Sequence, residues 1–351
     1  MSGRIGIGKS AFILEVLSVL SRQRTKMLTT YISLPANLDL ATTALIAVAQ
    51  EMPEDEWAQR QLYQMGIPTS RVLKERSTEA SGNLIFGAKL GEKDLPTTQP
   101  QYPAVSLDTL LERAQKQHPD GVVIAIDDLD KQSPGVVRQL MHDAQGMLKG
   151  RAWFMLTGHP LDITGDLLTT ARGLFDLQLP LEALDPEVTY RMLINYLNSA
   201  RIDNACSDPD DPRSVLPFLP ETAKRFCEVS LGRPRLFNRL GSLVLSKAVE
   251  LGAAQITPKV LQAGLKAAKP SLIEQAALSV KEEQVRSLLQ QRGELSDETI
   301  TIDELQQLGV RSFSDILPIL ERLRDRDLAH QLDQEDAKAF APIPLPAAED
   351  D

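Results

Sequence analysis

Apolar residues recur at helical spacing from position 9 to 25, where Ala11, Phe12, Leu14, Val16, Leu17, Val19 and Leu20 predict one buried helix face. A strand-like run, Met27 to Leu34, follows, and then a second helix from Asn37 to about Glu51. Between residues 53 and 103 the periodicity weakens and turn formers gather, among them Gly82, Gly87, Gly91, Pro96 and Pro100, which predicts an irregular insertion. Regularity returns with a helix N-capped by Ser106, an apolar strand from Gly121 ending in Asp127 and Asp128, and a helix over 134–149. A strand Ala152 to Thr157 and a shorter strand Leu174 to Leu179 complete this part. Strands that read as continuous apolar runs are buried on both faces, and their alternation with helices predicts an α/β class with a parallel sheet over residues 1–184.

Residues 185–270 are almost wholly helical in pattern, which predicts a second domain. Three further helices are expected near 281–291, 302–308 and 312–326, followed by strand candidates Leu328 to Leu332 and Lys338 to Ile343 around the polar turn Asp333 to Asp336. Three helices and a hairpin in that order predict a winged helix over 280–344, with 345–351 as a tail. The chain of 351 residues is long enough for these two to three domains.

Composition narrows the chemistry. Aromatic residues make up only 5%, too few for a base-stacking platform. Two cysteines and four scattered histidines supply neither a disulfide framework nor zinc-ligand spacing. The longest apolar stretch, Ala41 to Ala49, falls well short of the roughly 18 residues that cross a bilayer, so no membrane partner is expected and a cytoplasmic location is. The net charge of −10 is unevenly spread: from Lys281 onward 8 basic residues face 17 acidic ones, whereas 30 face 31 before it. Such an acidic C-terminal surface repels nucleic acid unless a local basic patch overcomes it.

Two motifs carry chemistry. Gly3-Arg4-Ile5-Gly6-Ile7-Gly8-Lys9-Ser10 has the spacing of a phosphate loop and runs straight into a helix that continues with Ala11. Glycines let backbone N–H groups curl around phosphate oxygens, the helix start adds positive potential, Lys9 reaches the β and γ phosphates, and Ser10 can ligate Mg²⁺. The alternative is a glycine-rich helix start with no ligand. The second motif, the strand ending in Asp127-Asp128, supplies a carboxylate for the metal (Asp127) and one to polarise an attacking water (Asp128). A solvated acidic turn is its alternative reading.

Together these motifs resemble the AAA+ and STAND branch of P-loop ATPases, in particular the initiator (origin-recognition) type, over most of the chain. The resemblance implies ATP and Mg²⁺ as ligands, a helical lid after the core, and a winged-helix output module. It makes Trp153-Phe-Met-Leu-Thr157 a sensor-1 strand that brings Thr157 or His159 near the γ-phosphate. Arg172 takes the position of an arginine that reaches a neighbour's nucleotide, which implies a nucleotide-dependent homo-oligomer. Leu231-Gly232-Arg233-Pro234-Arg235 looks like a sensor-2 motif in which Arg235 touches the nucleotide.

Two departures from the family pattern stand out. Only Met1 and Ser2 precede Gly3, so the sheet is expected to lack its first strand and the adenine base its N-terminal contacts. In the predicted third helix of the winged module, Arg322, Arg324 and Arg326 are interleaved with Asp315, Glu321, Asp325 and Asp327. A protein partner there is as well supported as DNA. The function expected is an ATP-hydrolysing molecular switch, with a non-hydrolysing scaffold and an ATP-dependent DNA-binding initiator or loader as alternatives.

Overall fold

Val122 to Ile126 are each almost completely buried, so the strand they form runs through the interior of a sheet with both faces covered. The computed structural model describes residues 1–33, 39–67, 102–129, 134–158, 175–202, 205–332 and 338–346. These divide into two compact units: Met1–Arg4 with Gly8–Leu181, and Ile5–Ile7 with Glu182–Asp351.

In the first unit the elements run β1 (Ser2–Gly3), α1 (Lys9–Gln23), β2 (Met27–Ser33), α2 (Leu40–Gln50), α3 (Glu56–Gln64), α4 (Pro103–Gln117), β3 (Gly121–Asp127), α5 (Pro134–Asp143), α6 (Gln145–Leu148), β4 (Trp153–Leu156) and β5 (Pro180–Leu181). All described pairings here are parallel: β2 with β3, β3 with β4, and β1 with β5. Side chains alternate across β3. Val123 and Ala125 pack with Ile13 and Leu17 of α1, whereas Val122, Ile124 and Ile126 join the core built with α2 and α4. This α/β unit with its parallel sheet is the fold class that the patterning predicts. Truncating Ile124, wholly buried, carries the cavity cost of about 2–5 kcal/mol typical of such a site.

Several local expectations are corrected. The sheet does not lack its first strand altogether: Ser2–Gly3 pair with Pro180–Leu181 on one side, and Ser2 bridges Gly158 beyond β4 on the other. Two residues suffice because Gly3 N–H donates to Gly158 and Ser2 N–H to Leu179. The helix expected from Ser106 begins a turn earlier, at Pro103, whose fixed φ and missing N–H suit the first helical position. Inside the expected irregular insertion, Glu56–Gln64 is helical, opened by Asp55, whose carboxylate accepts from Trp57 and Ala58 N–H. The helix expected from Asn37 begins at Leu40, capped by Asp39. The helix expected over 134–149 is two helices, and the late strand sits at Pro180–Leu181 rather than 174–179.

In the second unit, α7 (Pro186–Ser199), α8 (Pro220–Val229), α9 (Pro234–Glu250) and α10 (Pro258–Ala276) precede α11 (Val280–Arg292), α12 (Ile302–Gln307), α13 (Phe313–Asp325), β6 (Ala329–Leu332) and β7 (Ala339–Pro342). One continuous hydrophobic core runs from Leu193 to Ile343 and joins the helical segment to the last three helices and their hairpin. Phe226 anchors it, with ring centroids 5.3 Å from Phe218 and 4.8 Å from Phe237. Capping boxes at Ser279 with Glu282 and at Thr301 with Glu304 start α11 and α12. β6 and β7 pair antiparallel, and Leu295 bridges Phe340.

Candidate functional site

The site of the first unit is assembled at the C-terminal ends of β2, β3 and β4 and the start of α1. Gly8, with φ +103°, is the residue before α1 and takes a left-handed conformation that a side chain strains. It delivers Lys9 and Ser10 as the first residues of the helix, followed by the exposed Ala11. Lys9 is buried, and its Nζ donates to the carbonyls of Gly3 at 2.8 Å and Arg4 at 3.2 Å, so the ammonium cross-braces the loop that precedes it.

Asp127 ends β3 with its carboxylate buried and surrounded by donors. Thr157, fully buried just after β4, donates its hydroxyl to Oδ1, and Asp128 N–H donates to the same oxygen at 2.9 Å. The Tyr31 hydroxyl donates to Oδ2 at 2.7 Å, and the Ser10 side chain bonds the same carboxylate. Burial alone raises the Asp127 pKa, but the hydrogen bonds from Ser10, Thr157, Tyr31 and Asp128 outweigh it and hold the carboxyl below the usual range. Burial, with the Asp127 hydrogen bond and charge, pushes the Tyr31 phenol up to about 12. Asp128 adopts φ +65°, an uncommon conformation for a non-glycine residue, and its Oδ2 accepts from Ser33 Oγ at 2.5 Å.

The structure therefore brings Lys9, Ser10, Asp127, Asp128 and Thr157 together with the Gly3 and Gly8 ends of the loop. Thr157 is engaged with the Asp127 carboxylate. Tyr31 and Ser33 belong to this cluster although hydrophobic periodicity does not single them out. The signal available is their alternation: two residues apart on β2, they share a face, and the parallel register sets Ser33 beside Asp127. Arg172 and His159 lie outside the described residues.

Gly6 groups with the second unit, where its carbonyl accepts from Arg235 N–H at 3.1 Å. Arg233, two residues earlier and buried, turns elsewhere. Its Nη1 donates to the carbonyls of Arg324 and Ala329 and meets Asp327 Oδ1 at 3.3 Å, while Arg239 approaches Asp327 Oδ2 at 3.6 Å. Burial raises the Asp327 pKa and the arginines pull it back only in part. In α13, Arg322 donates to Glu282 Oε1 at 2.8 Å and Arg324 pairs with Asp325, and Arg326, which caps the helix, donates to Glu282 Oε2 at 3.2 Å. The basic residues of that helix are thus matched within the module.

The donor set fits a hard divalent cation such as Mg²⁺: a carboxylate held below its usual pKa range and a hydroxyl bonded to it, beside the glycine turn that opens α1. Among the described residues no group of three or more His, Cys, Asp or Glu is placed to hold a metal by protein ligands alone. None of the described helices is long and apolar enough to cross a membrane.

No protein-family model matches the chain, and no curated protein does. Solved structures do resemble it. Cdc6p from Pyrobaculum aerophilum aligns over 97% of this chain and 82% of its own at 12% identity and TM-score 0.45. The Aeropyrum pernix Orc1 protein in complex with DNA aligns over the same shares at 10% identity and TM-score 0.46. The Thermotoga maritima RuvB Holliday junction branch migration motor aligns over 68% of this chain and 71% of its own at 16% identity and TM-score 0.36.

Proposed function

We propose that this protein is an ATP-dependent molecular switch that binds ATP with Mg²⁺ at the phosphate loop and hydrolyses it slowly. The observation that carries the reading is the union of Ser10, at the start of α1, with the buried Asp127 carboxylate at the tip of β3. A hydroxyl and a carboxylate joined beside a left-handed glycine turn and a buried lysine support a metal-phosphate site over a simple helix start.

Each residue has a role in this reading. Lys9 exchanges the Gly3 and Arg4 carbonyls for phosphate oxygens, which keeps the ammonium satisfied in both states. Ser10 and Asp127 hold the metal, which when bound supplies positive charge to offset that on the transferred phosphoryl group. Thr157 fixes the angle of the Asp127 carboxylate through a buried hydrogen bond. Asp128 takes the proton of the attacking water, and Ser33 restrains it until the carboxylate is needed. The resemblance assigns Arg235 to the nucleotide phosphates and Arg172 to a neighbour's site in a nucleotide-dependent homo-oligomer.

The module over 280–344 is read as a winged helix with a protein partner. That choice over DNA is supported by Arg322 and Arg326, which already spend their charge on Glu282. An ATP-dependent DNA-binding initiator or loader stays as the rival, tested by a salt-dependent shift of labelled duplex; tight binding at low salt favours it.

The deciding experiment pairs nucleotide binding with turnover in Asp128→Asn. Binding within about twofold of wild type with turnover lower by about 100-fold supports the switch. ATP bound but not turned over by the wild type instead favours a non-hydrolysing scaffold.

A further inference from the structure

An ionised carboxylate offers about four acceptor directions, and Asp127 has four donors on them: the Thr157 hydroxyl, the Asp128 N–H, the Tyr31 hydroxyl and the Ser10 hydroxyl. A divalent cation docking at Asp127 would need one of those directions. Three of the donors cannot readily give theirs up. Thr157 is wholly buried, the Asp128 N–H is main chain, and Ser10 is itself the residue that meets the metal. Tyr31 differs from them: the residue stands at 36% exposure on β2, so its side chain borders solvent. The Ser10 hydroxyl, with one proton to give, lies within reach of both the Asp127 carboxylate and the Tyr31 oxygen, so Tyr31 stands against both residues of the metal pair.

From this we infer that Tyr31 is a gate on the metal position: its hydroxyl holds an acceptor direction of Asp127 that a divalent cation would use, and it must yield for the cation to dock. This rests on the phosphate-loop reading for what the site holds and adds how its metal affinity is set. Tyr31 acts through Asp127, so it is a positioning residue. The exchange of one phenol hydrogen bond is worth the usual net value for such a bond, which makes the gate a matter of several-fold in affinity rather than all or none.

The test uses the full chain, wild type and Tyr31→Phe, which keeps the ring and removes the hydroxyl. Manganese is titrated with and without ATP, with free Mn²⁺ followed by electron paramagnetic resonance. ATP affinity is measured separately in EDTA, and thermal unfolding checks that the variant is folded. The expected result is Mn²⁺ binding tighter by about three- to tenfold in Tyr31→Phe, with ATP affinity in EDTA unchanged. Equal or weaker Mn²⁺ binding in the variant overturns the gate, as does absence of Mn²⁺ binding by both proteins with and without ATP. The two readings fail separately. A shift in Mn²⁺ affinity with no ATP bound under any condition removes the nucleotide reading and leaves the gate, whereas ATP binding with no shift does the reverse. A purely structural Tyr31 would change the unfolding temperature instead of the metal affinity.

Discussion

Ser33 Oγ donates to Asp128 Oδ2 at 2.5 Å, across two parallel strands whose register puts Ser33 beside Asp127. The bond ties the carboxylate proposed as general base to the neighbouring strand while its backbone is held at φ +65°. Removing it in Ser33→Ala lowers the cost of moving Asp128 toward a water. Basal ATP turnover is expected to rise by about two- to tenfold with ATP affinity little changed, the range that one net hydrogen bond allows. Steady-state phosphate release reads it; unchanged turnover would show that the bond does not restrain Asp128, and turnover below wild type that it supports catalysis.

Gly232 tests how tightly the second unit is closed around its arginine turn. A Cβ there would lie 2.0 Å from the Leu184 carbonyl oxygen, and Gly232 has φ +63°. The Gly232 carbonyl also accepts from Leu184 N–H at 2.8 Å, so the two backbones cannot separate without losing a bond. Gly232→Ala is expected to cost about 2–4 kcal/mol, read by urea unfolding of the full chain. A loss below about 0.5 kcal/mol would mean that the turn relaxes freely.

Glu282 joins the capping of α11 to Arg322 of α13 and to Arg326, which caps that helix. Backbone and side-chain hydrogen bonds from Ser279, with Arg322 and Arg326, bring its carboxyl down to about 2 from 4.5. A depressed folded-state pKa stabilises the fold above the unfolded value, so this contribution is complete above pH 4.5 and is lost as pH falls toward 2. Glu282→Gln should flatten the acid limb of the stability curve in that window relative to wild type. Parallel acid limbs in the two proteins would remove Glu282 as a cause.

The same substitution bears on the C-terminal module's partner. With Glu282 neutral, Arg322 and Arg326 become available to phosphate, and duplex DNA binding at low salt should strengthen in Glu282→Gln with a steeper salt dependence. A fluorescence anisotropy titration against salt measures both. No change would mean that these arginines do not face a nucleic-acid surface in either form.

What local pattern encodes and what it leaves out follow physical lines. The glycine-rich turn before α1 and the apolar strand ending in Asp127-Asp128 are legible because glycine spacing and continuous burial are properties of contiguous residues. The same holds for the hairpin of β6 and β7, where Leu328 to Leu332 was bounded by a polar turn. The two-residue β1 is not legible, since Ser2–Gly3 become a strand only through pairing with residues 156 and more positions away. Tyr31 and Ser33 are hidden for a related reason: their partners, Asp127 and Asp128, are set by inter-strand register. Arg233 and Arg235 share one motif, yet one meets Asp327 and the other meets Gly6, because the first precedes α9 as its cap and the second lies in its first turn.

Lys9, Ser10 and Asp127 are proposed to form an ATP site. Titration calorimetry of wild type and Lys9→Ala with ATP and Mg²⁺ tests it most directly. Saturable binding by the wild type is expected, with a loss of about 100-fold or more in Lys9→Ala, since a charge-assisted contact to phosphate is removed. Equal affinity in the two proteins, or no binding by either, would contradict it.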